Sequence, residues 1–375
     1  MADEPTVAIV GASARAAAFS VLRAGGQVVA ADLFADADLA RSCRATRVAD
    51  YPKGLVTWLK TTECDGWLYT GALENHPDLV DRMAAVRPLW GNAGEVLRAV
   101  RDPLVMQGVL RGARLAFPET IKATSNISLD GQWLAKTCRG SSGSGVCETN
   151  EDENNEDTTG VGYRQCHIEG TPGSAVFIGS ANGSKLLGVT RQLVGEPWTG
   201  AAKFQYCGSV GPWNLTDDFE QQIGSLGEVL VDAFRLRGLF GVDFVFDGEQ
   251  VWTVELNPRY TAAVEIVEHA TGVVAMQQHL EACSGKAEAK PQLCHDQPVV
   301  GKAILFGERK ATVSEKFTHW ALQNGMLADV PTANTQLEPG QPVLTAFASA
   351  AKCDAVVAQL QRKLTEVRQR LFQGT

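Results

Sequence analysis

Short apolar runs separated by glycine, proline and acidic turns divide the chain into alternating strands and helices. Residues 6–10 (Thr-Val-Ala-Ile-Val) predict a buried strand, and Gly11–Arg15 a turn into an alanine-rich helix that reaches Leu22. Gln27–Ala31 follows Gly25-Gly26 as a second strand, and Gly66–Gly71 reads as a third, with helices over Leu79–Val86 and Ala93–Val100. This is a β-α-β opening, and sites collect at the carboxyl ends of such strands, here the loop Gly71–Asn75. Asp102 and Pro103 supply the cap and first position of a helix running to Leu110. Strands are predicted over 133–139, 174–179 and 184–190, the last two joined by the turn Ala181-Asn182-Gly183. The amphipathic stretch Asp217–Leu236 puts Phe219, Ile223, Leu226, Val229, Leu230 and Phe234 on one helical face. A final helix covers Lys352–Leu371.

Two adjacent apolar runs carry the most informative polar residues. Gly241-Val-Asp-Phe-Val-Phe-Asp247 is followed by Gly248, then by Val251-Trp-Thr-Val-Glu-Leu-Asn-Pro-Arg259. Strand side chains alternate, so Glu255 and Asn257 point the same way, and an Asp247-Gly248 turn brings Asp243 beside them. Two carboxylates and an amide oxygen on one face make a hard-oxygen site for Mg²⁺ carrying phosphates, with Mn²⁺ as the alternative ion. Arg259 places a fixed cation next to it. The competing reading is a strand whose acids face solvent. Upstream, a strand ending in Lys136 feeds the glycine-rich segment Gly140-Ser141-Ser142-Gly143-Ser144-Gly145. Glycines let backbone N–H groups converge on phosphate oxygens, and the lysine adds charge.

Composition limits what such a site serves. The chain has 375 residues, enough for two or three cores, and a net charge of −9, which argues against nucleic acid or an anionic membrane as partner. No apolar run is long enough to span a bilayer, and the acidic Met1–Pro5 segment does not read as a signal peptide. Nine scattered cysteines without a Cys-x-x-Cys pair read as reduced thiols in the cytoplasm, and no zinc spacing is present. The Gly11–Arg15 turn lacks a full G-x-G-x-x-G, so dinucleotide binding is not expected, and no P-loop motif occurs. The acidic run 148–159 reads as a solvated, mobile insertion.

Val-Asp-Phe followed by Val-Glu-Leu-Asn-Pro-Arg resembles the metal-binding hairpin of the ATP-grasp superfamily, whose members couple ATP cleavage to carboxylate activation. The order of Lys136 strand, glycine loop, Tyr163–Gly170 segment, hairpin and Arg259 is similar to that superfamily over nearly the whole chain. The resemblance implies an α/β (α+β) fold with a Rossmann-like pre-ATP-grasp domain over 1–100. The ATP-grasp domain would cover 101–290, and a small β-rich C-terminal subdomain 291–375. It implies ATP held by Lys136, Arg139, Gly140, Ser141, Ser142 and Gly143, with the adenine against the hinge Gln165, Cys166, His167 and Ile168. Lys203 would approach the γ-phosphate, Asp243, Glu255 and Asn257 would hold the metal, and Lys136 and Arg259 would be catalytic. Tyr260 and Glu265 are candidates for reading an amine. Many members carry lysine where Pro103 stands, with Arg101 the candidate replacement, and many carry glutamate where Gln165 stands. The implied activity is a cytoplasmic carboxylate–amine ligase acting on small molecules, with a homodimer the common assembly. Gly71–Asn75 is further similar to enzymes that add glutamate to an amine in one-carbon coenzyme biosynthesis, such as tyramine–glutamate ligases. A biotin-carboxylase-like enzyme and an inactive nucleotide-binding regulator stay open as alternatives.

Overall fold

The computed structural model describes residues 5–125, 132–149, 162–214, 216–285 and 298–372. The acidic run falls almost wholly outside them; Glu148 and Thr149 are its described members.

The chain opens with a parallel sheet of strands β1 (Thr6–Val10), β2 (Gln27–Asp32), β3 (Arg44–Arg47) and β4 (Gly66–Tyr69), in the order β3-β2-β1-β4. Helices cover both faces, so Val7, Ala8, Ile9 and Val10 are all buried, as expected for a continuous apolar strand in a parallel sheet. At the carboxyl end of β1 a Cβ on Gly11 would lie 2.0 Å from Thr70 Oγ1, so glycine is required there. The loop after β4 runs through Glu74 and Asn75, and Asp102 caps the helix Pro103–Gly112 by accepting from Leu104 N.

A small antiparallel sheet follows, from β5 (Thr120–Lys122), β6 (Trp133–Lys136), β7 (Val146–Glu148) and β8 (Tyr163–Cys166), in the order β5-β8-β6-β7. Among the described residues the largest sheet has eight strands. It contains β9 (Thr171–Ser180), β10 (Gly183–Val194), β11 (Tyr206–Gly211), β12 (Gly238–Phe246), β13 (Val251–Asn257) and β14 (Val299–Phe306). After the two-residue β15 (Ala311–Thr312), it is completed by β16 (Leu327–Ala328) and, past β17 (Gln336–Leu337), by β18 (Pro342–Ala350). The order β13-β12-β9-β10-β11-β14-β18-β16 puts β14, β16 and β18 into the same sheet as the β12–β13 hairpin, while β15 and β17 pair separately.

The two longest of the described helices pack on this sheet with apolar faces at helical spacing. Thr216 caps Asp217–Phe234, and Phe219, Ile223, Leu226, Leu230 and Phe234 are buried over a core in which Phe177 and Phe240 stack at 4.9 Å. Cys353–Phe372 buries Val356, Leu360, Leu364, Val367 and Leu371 in a second core with β14 and β18. No described helix is long and apolar enough to cross a membrane.

Candidate active site

The hairpin β12–β13 pairs Asp243 directly with Glu255 and Gly241 with Asn257. A bulge at Asp243/Phe244 leaves Val254 as the extra residue, which preserves the facing of Asp243, Glu255 and Asn257. Gly241, opposite Asn257, makes room: a Cβ there would meet Thr261 Oγ1 at 2.9 Å. Asn257 Nδ2 donates to Asp243 Oδ2 at 3.0 Å, and Gln192 Nε2 donates to Asp243 Oδ1 at 2.8 Å. Burial, with the Glu255 charge adding to it, pushes the Asp243 carboxyl up to about 7. Two acids this close need a cation to stay charged together, which is what a bound divalent ion supplies. The donor set therefore fits a hard cation. Among the described residues no three His, Cys, Asp or Glu side chains form a group that could hold a metal ion.

Two arginines frame these oxygens. Arg259 donates to Asn257 Oδ1 at 3.0 Å and to Glu74 Oε1 at 2.5 Å. Burial alone would raise the Glu74 carboxyl, but the Arg259 guanidinium outweighs it and holds the carboxyl below the usual range. Arg101 pairs with Glu255 and donates to Asn75 Oδ1 at 2.6 Å and to the Gly140 carbonyl at 2.9 Å. Lys136 lies across the cleft, 8% exposed, and donates to Gln165 Oε1 at 2.6 Å. Burial pushes its ammonium down to about 8, against the attraction of Glu255.

These groups line one cleft of about 530 Å³, together with Gly140–Ser144, Cys166–Ile168, Lys203 and Phe204. The glycine loop is held by Tyr206 N, which donates to Ser142 O at 3.2 Å, and Gly143 sits at φ +79° where a Cβ would lie 1.8 Å from Phe204 O. Residues 100–263, the stretch that builds nearly all of this cleft, match the family model of the ATP-grasp domain. The segment is similar to ATP-grasp domains.

The solved structures agree on the fold over the rest of the chain. Carboxyaminoimidazole ribonucleotide synthase from Aspergillus clavatus, solved with ATP, superposes with a TM-score of 0.74 at 14% identity, covering 99% of this chain and 100% of that one. The biotin carboxylase domain of Hydrogenobacter thermophilus 2-oxoglutarate carboxylase, solved with MgADP, ADP and bicarbonate, gives 0.70 at 14% identity, covering 96% and 89%. An uncharacterised protein of Methanocaldococcus jannaschii is 28% identical over 188 residues, 49% of this chain and 41% of that protein. The chain spans less than half the length of the curated relatives it matches.

Most residues expected at the nucleotide site line the ATP-grasp cleft, and several differ in detail. Gln165 does not offer its side chain to a base: it is buried, its oxygen taken by Lys136 and its Nε2 by Thr120 Oγ1 at 3.1 Å. Arg139 is exposed and lines a neighbouring cavity instead of the cleft. Lys203 is exposed and paired with Glu148 at 2.7 Å. Tyr260 and Glu265, expected to read an amine, are buried in packing. Glu265 is held by Arg15 and Lys302, and the Tyr260 hydroxyl donates to Glu268 at 3.4 Å. Gln192 was not anticipated, because Arg191-Gln192 interrupts the apolar run and the sequence pattern ends the strand at Thr190, whereas β10 continues to Val194. Its signal is a lone amide in phase with Thr190 on that strand.

Proposed function

We propose that the chain is an ATP-dependent ligase that activates a carboxylate as an acylphosphate and transfers the acyl group to an amine, releasing ADP and phosphate. The observation that carries this reading is Asp243, Glu255 and Asn257 on one sheet face, with Arg259 beside them and Lys136 across the cleft. ATP and MgADP in the two structural relatives support the same choice of nucleotide and metal.

In this account the triphosphate lies between the hairpin and the glycine loop. Lys136 and the 140–144 backbone hold its oxygens, and the hinge backbone at Cys166–Ile168 faces the base. Asp243, Glu255 and Asn257 would hold Mg²⁺, which would supply positive charge against the charge that builds on the phosphates. Arg259, fixed by Glu74 and Asn257, orients the acid. A carboxylate oxygen then bonds to the γ-phosphorus as its bond to the bridging oxygen breaks, and that oxygen leaves on ADP with the electron pair. The neutral amine next attacks the acyl carbon, Arg259 stabilises the oxyanion, and phosphate departs as its bond to the acyl carbon breaks, carrying the proton that the amine loses.

Glutamate as the acid, in one-carbon coenzyme biosynthesis, is the specific form supported by the likeness of Gly71–Asn75. Unchanged coenzyme content in a deletion strain would remove it. The C-terminal likeness to biotin carboxylases favours bicarbonate as the second reading, which a biotin-dependent rate would establish. Glu255→Ala tests the class: ADP release should fall by orders of magnitude, and turnover like that of the unmodified protein would remove the metal role from this residue.

A further inference from the structure

A second cavity, of about 460 Å³, lies beside the nucleotide cleft. Glu74, Arg101, Cys138 and Tyr163 line both spaces, so the two share one wall at the point where Arg101 meets Glu255. The rest of the second cavity is strongly basic for a protein whose net charge is −9. Arg98, Lys122 and Arg139 line it in addition to Arg101.

The charges divide into committed and uncommitted groups. Arg98 is paired with Asp78 and Asp81, and Arg101 with Glu255. The two lining acids are also engaged: Glu74 holds Arg259, and Asp102 caps Leu104 N and Val105 N. Lys122 and Arg139 have no ion pair or hydrogen bond from their side chains among the described residues. Arg139 is close enough to help lower the His76 imidazole and the exposed Asp78 carboxyl. Two free cations thus face a concave surface whose inner wall is the site of phosphoryl transfer. Like charges are held together at a cost that a bound anion removes, and the planar arginine fork suits a carboxylate.

We propose that this second cavity binds the acid substrate, and that the acid carries at least one anionic group besides the carboxylate that reacts. The assignment rests on the ligase reading above. The reacting carboxylate passes along Arg101 toward the γ-phosphate, and the remote anionic group stays on Lys122 and Arg139. A dicarboxylate or a longer polycarboxylate fits, and a monocarboxylate leaves both outer cations unmatched.

The test uses the full chain saturated with Mg·AMP-PNP, titrated calorimetrically with acetate, glutarate and tricarballylate. Saturation by the nucleotide analogue is itself the control on the ligase reading, since its absence would defeat that reading separately. Glutarate and tricarballylate should bind at least about tenfold more tightly than acetate, and more weakly as salt rises. Lys122→Gln and Arg139→Gln should each lose about tenfold of that affinity. Both residues lie at the surface, and nucleotide affinity measured in the same variants reports general damage. If AMP-PNP binds but no polycarboxylate does, the proposal is overturned. Polycarboxylate affinity unchanged in both variants, or lost only in parallel with nucleotide affinity, overturns it equally.

Discussion

The Arg101 guanidinium rests on the Glu255 carboxylate, joining residues 154 positions apart at the centre of the cleft. Glu255 is one of the proposed metal ligands, and the arginine holds one of its two carboxylate oxygens. Arg101 lies two residues before Pro103, and it also grips Asn75 and the Gly140 carbonyl at the root of the glycine loop. One side chain therefore couples metal site, loop and second cavity.

Replacing Arg101 by glutamine should free Glu255. Binding of Mn²⁺ without nucleotide should tighten by roughly tenfold, the scale of one nearby charge at a partly exposed site. Turnover should fall, because the same cation is then missing beside the phosphates. Calorimetry with Mn²⁺ alone reads the first effect, and an unchanged affinity would separate Arg101 from the metal site.

Lys136 is buried with one neutral partner, Gln165. Lys136→Met should weaken ATP binding by roughly 10- to 100-fold, the value of a charge-assisted contact to phosphate. Gln165→Leu should act differently. It strips the buried ammonium of its acceptor and should destabilise the fold by about 1–3 kcal/mol, read as a lower urea midpoint. Equal effects of both changes on ATP affinity, with no loss of stability for Gln165→Leu, would contradict these roles.

His279 gives a stability prediction with a definite sign. Its Nδ1 accepts from Leu239 N at 2.8 Å, which leaves Nε2 to donate to the Trp90 carbonyl at 3.1 Å. The first contact requires an unprotonated Nδ1 and so the neutral ring, whereas the second persists in the charged ring. Burial pushes the imidazole down to about 4, with the Trp90 contact opposing. The unfolded chain takes a proton near pH 6.5, whereas the folded chain refuses it until about pH 4. Between those values the unfolded state binds more protons, so this contribution is complete above about pH 6.5 and is lost as pH falls toward 4. The loss should approach roughly 3 kcal/mol. A histidine ring resonance from residue 279 that titrates near pH 6.5 in the folded protein would contradict the account.

The β12–β13 hairpin was legible in the sequence because two short-range rules suffice to build it. Period-two alternation sets Glu255 and Asn257 on one face, and Asp247-Gly248 turns the chain so that Asp243 arrives opposite Glu255. The Lys136 strand and the glycine loop were legible for the same local reasons. The pairings Glu74–Arg259 and Arg101–Glu255 were not, since they join residues 185 and 154 positions apart and depend on how the parallel sheet meets the hairpin. Gln165 was expected against a base, but the strand pairing Leu134↔Gln165 places it beside Lys136 in the interior, where the ammonium needs an acceptor more than the base does. The exposure of Arg139 follows from its place at the turn leaving β6, where alternation no longer fixes direction.

The central claim is that the cleft couples ATP cleavage to the joining of an acid and an amine. It is tested most directly by measuring ADP release from Mg·ATP with polycarboxylic acids and amines supplied singly and in pairs. The account predicts a rate that needs both partners in at least one pair and disappears in Glu255→Ala. ADP release at the same rate with neither partner present, or retained in full by Glu255→Ala, would contradict it.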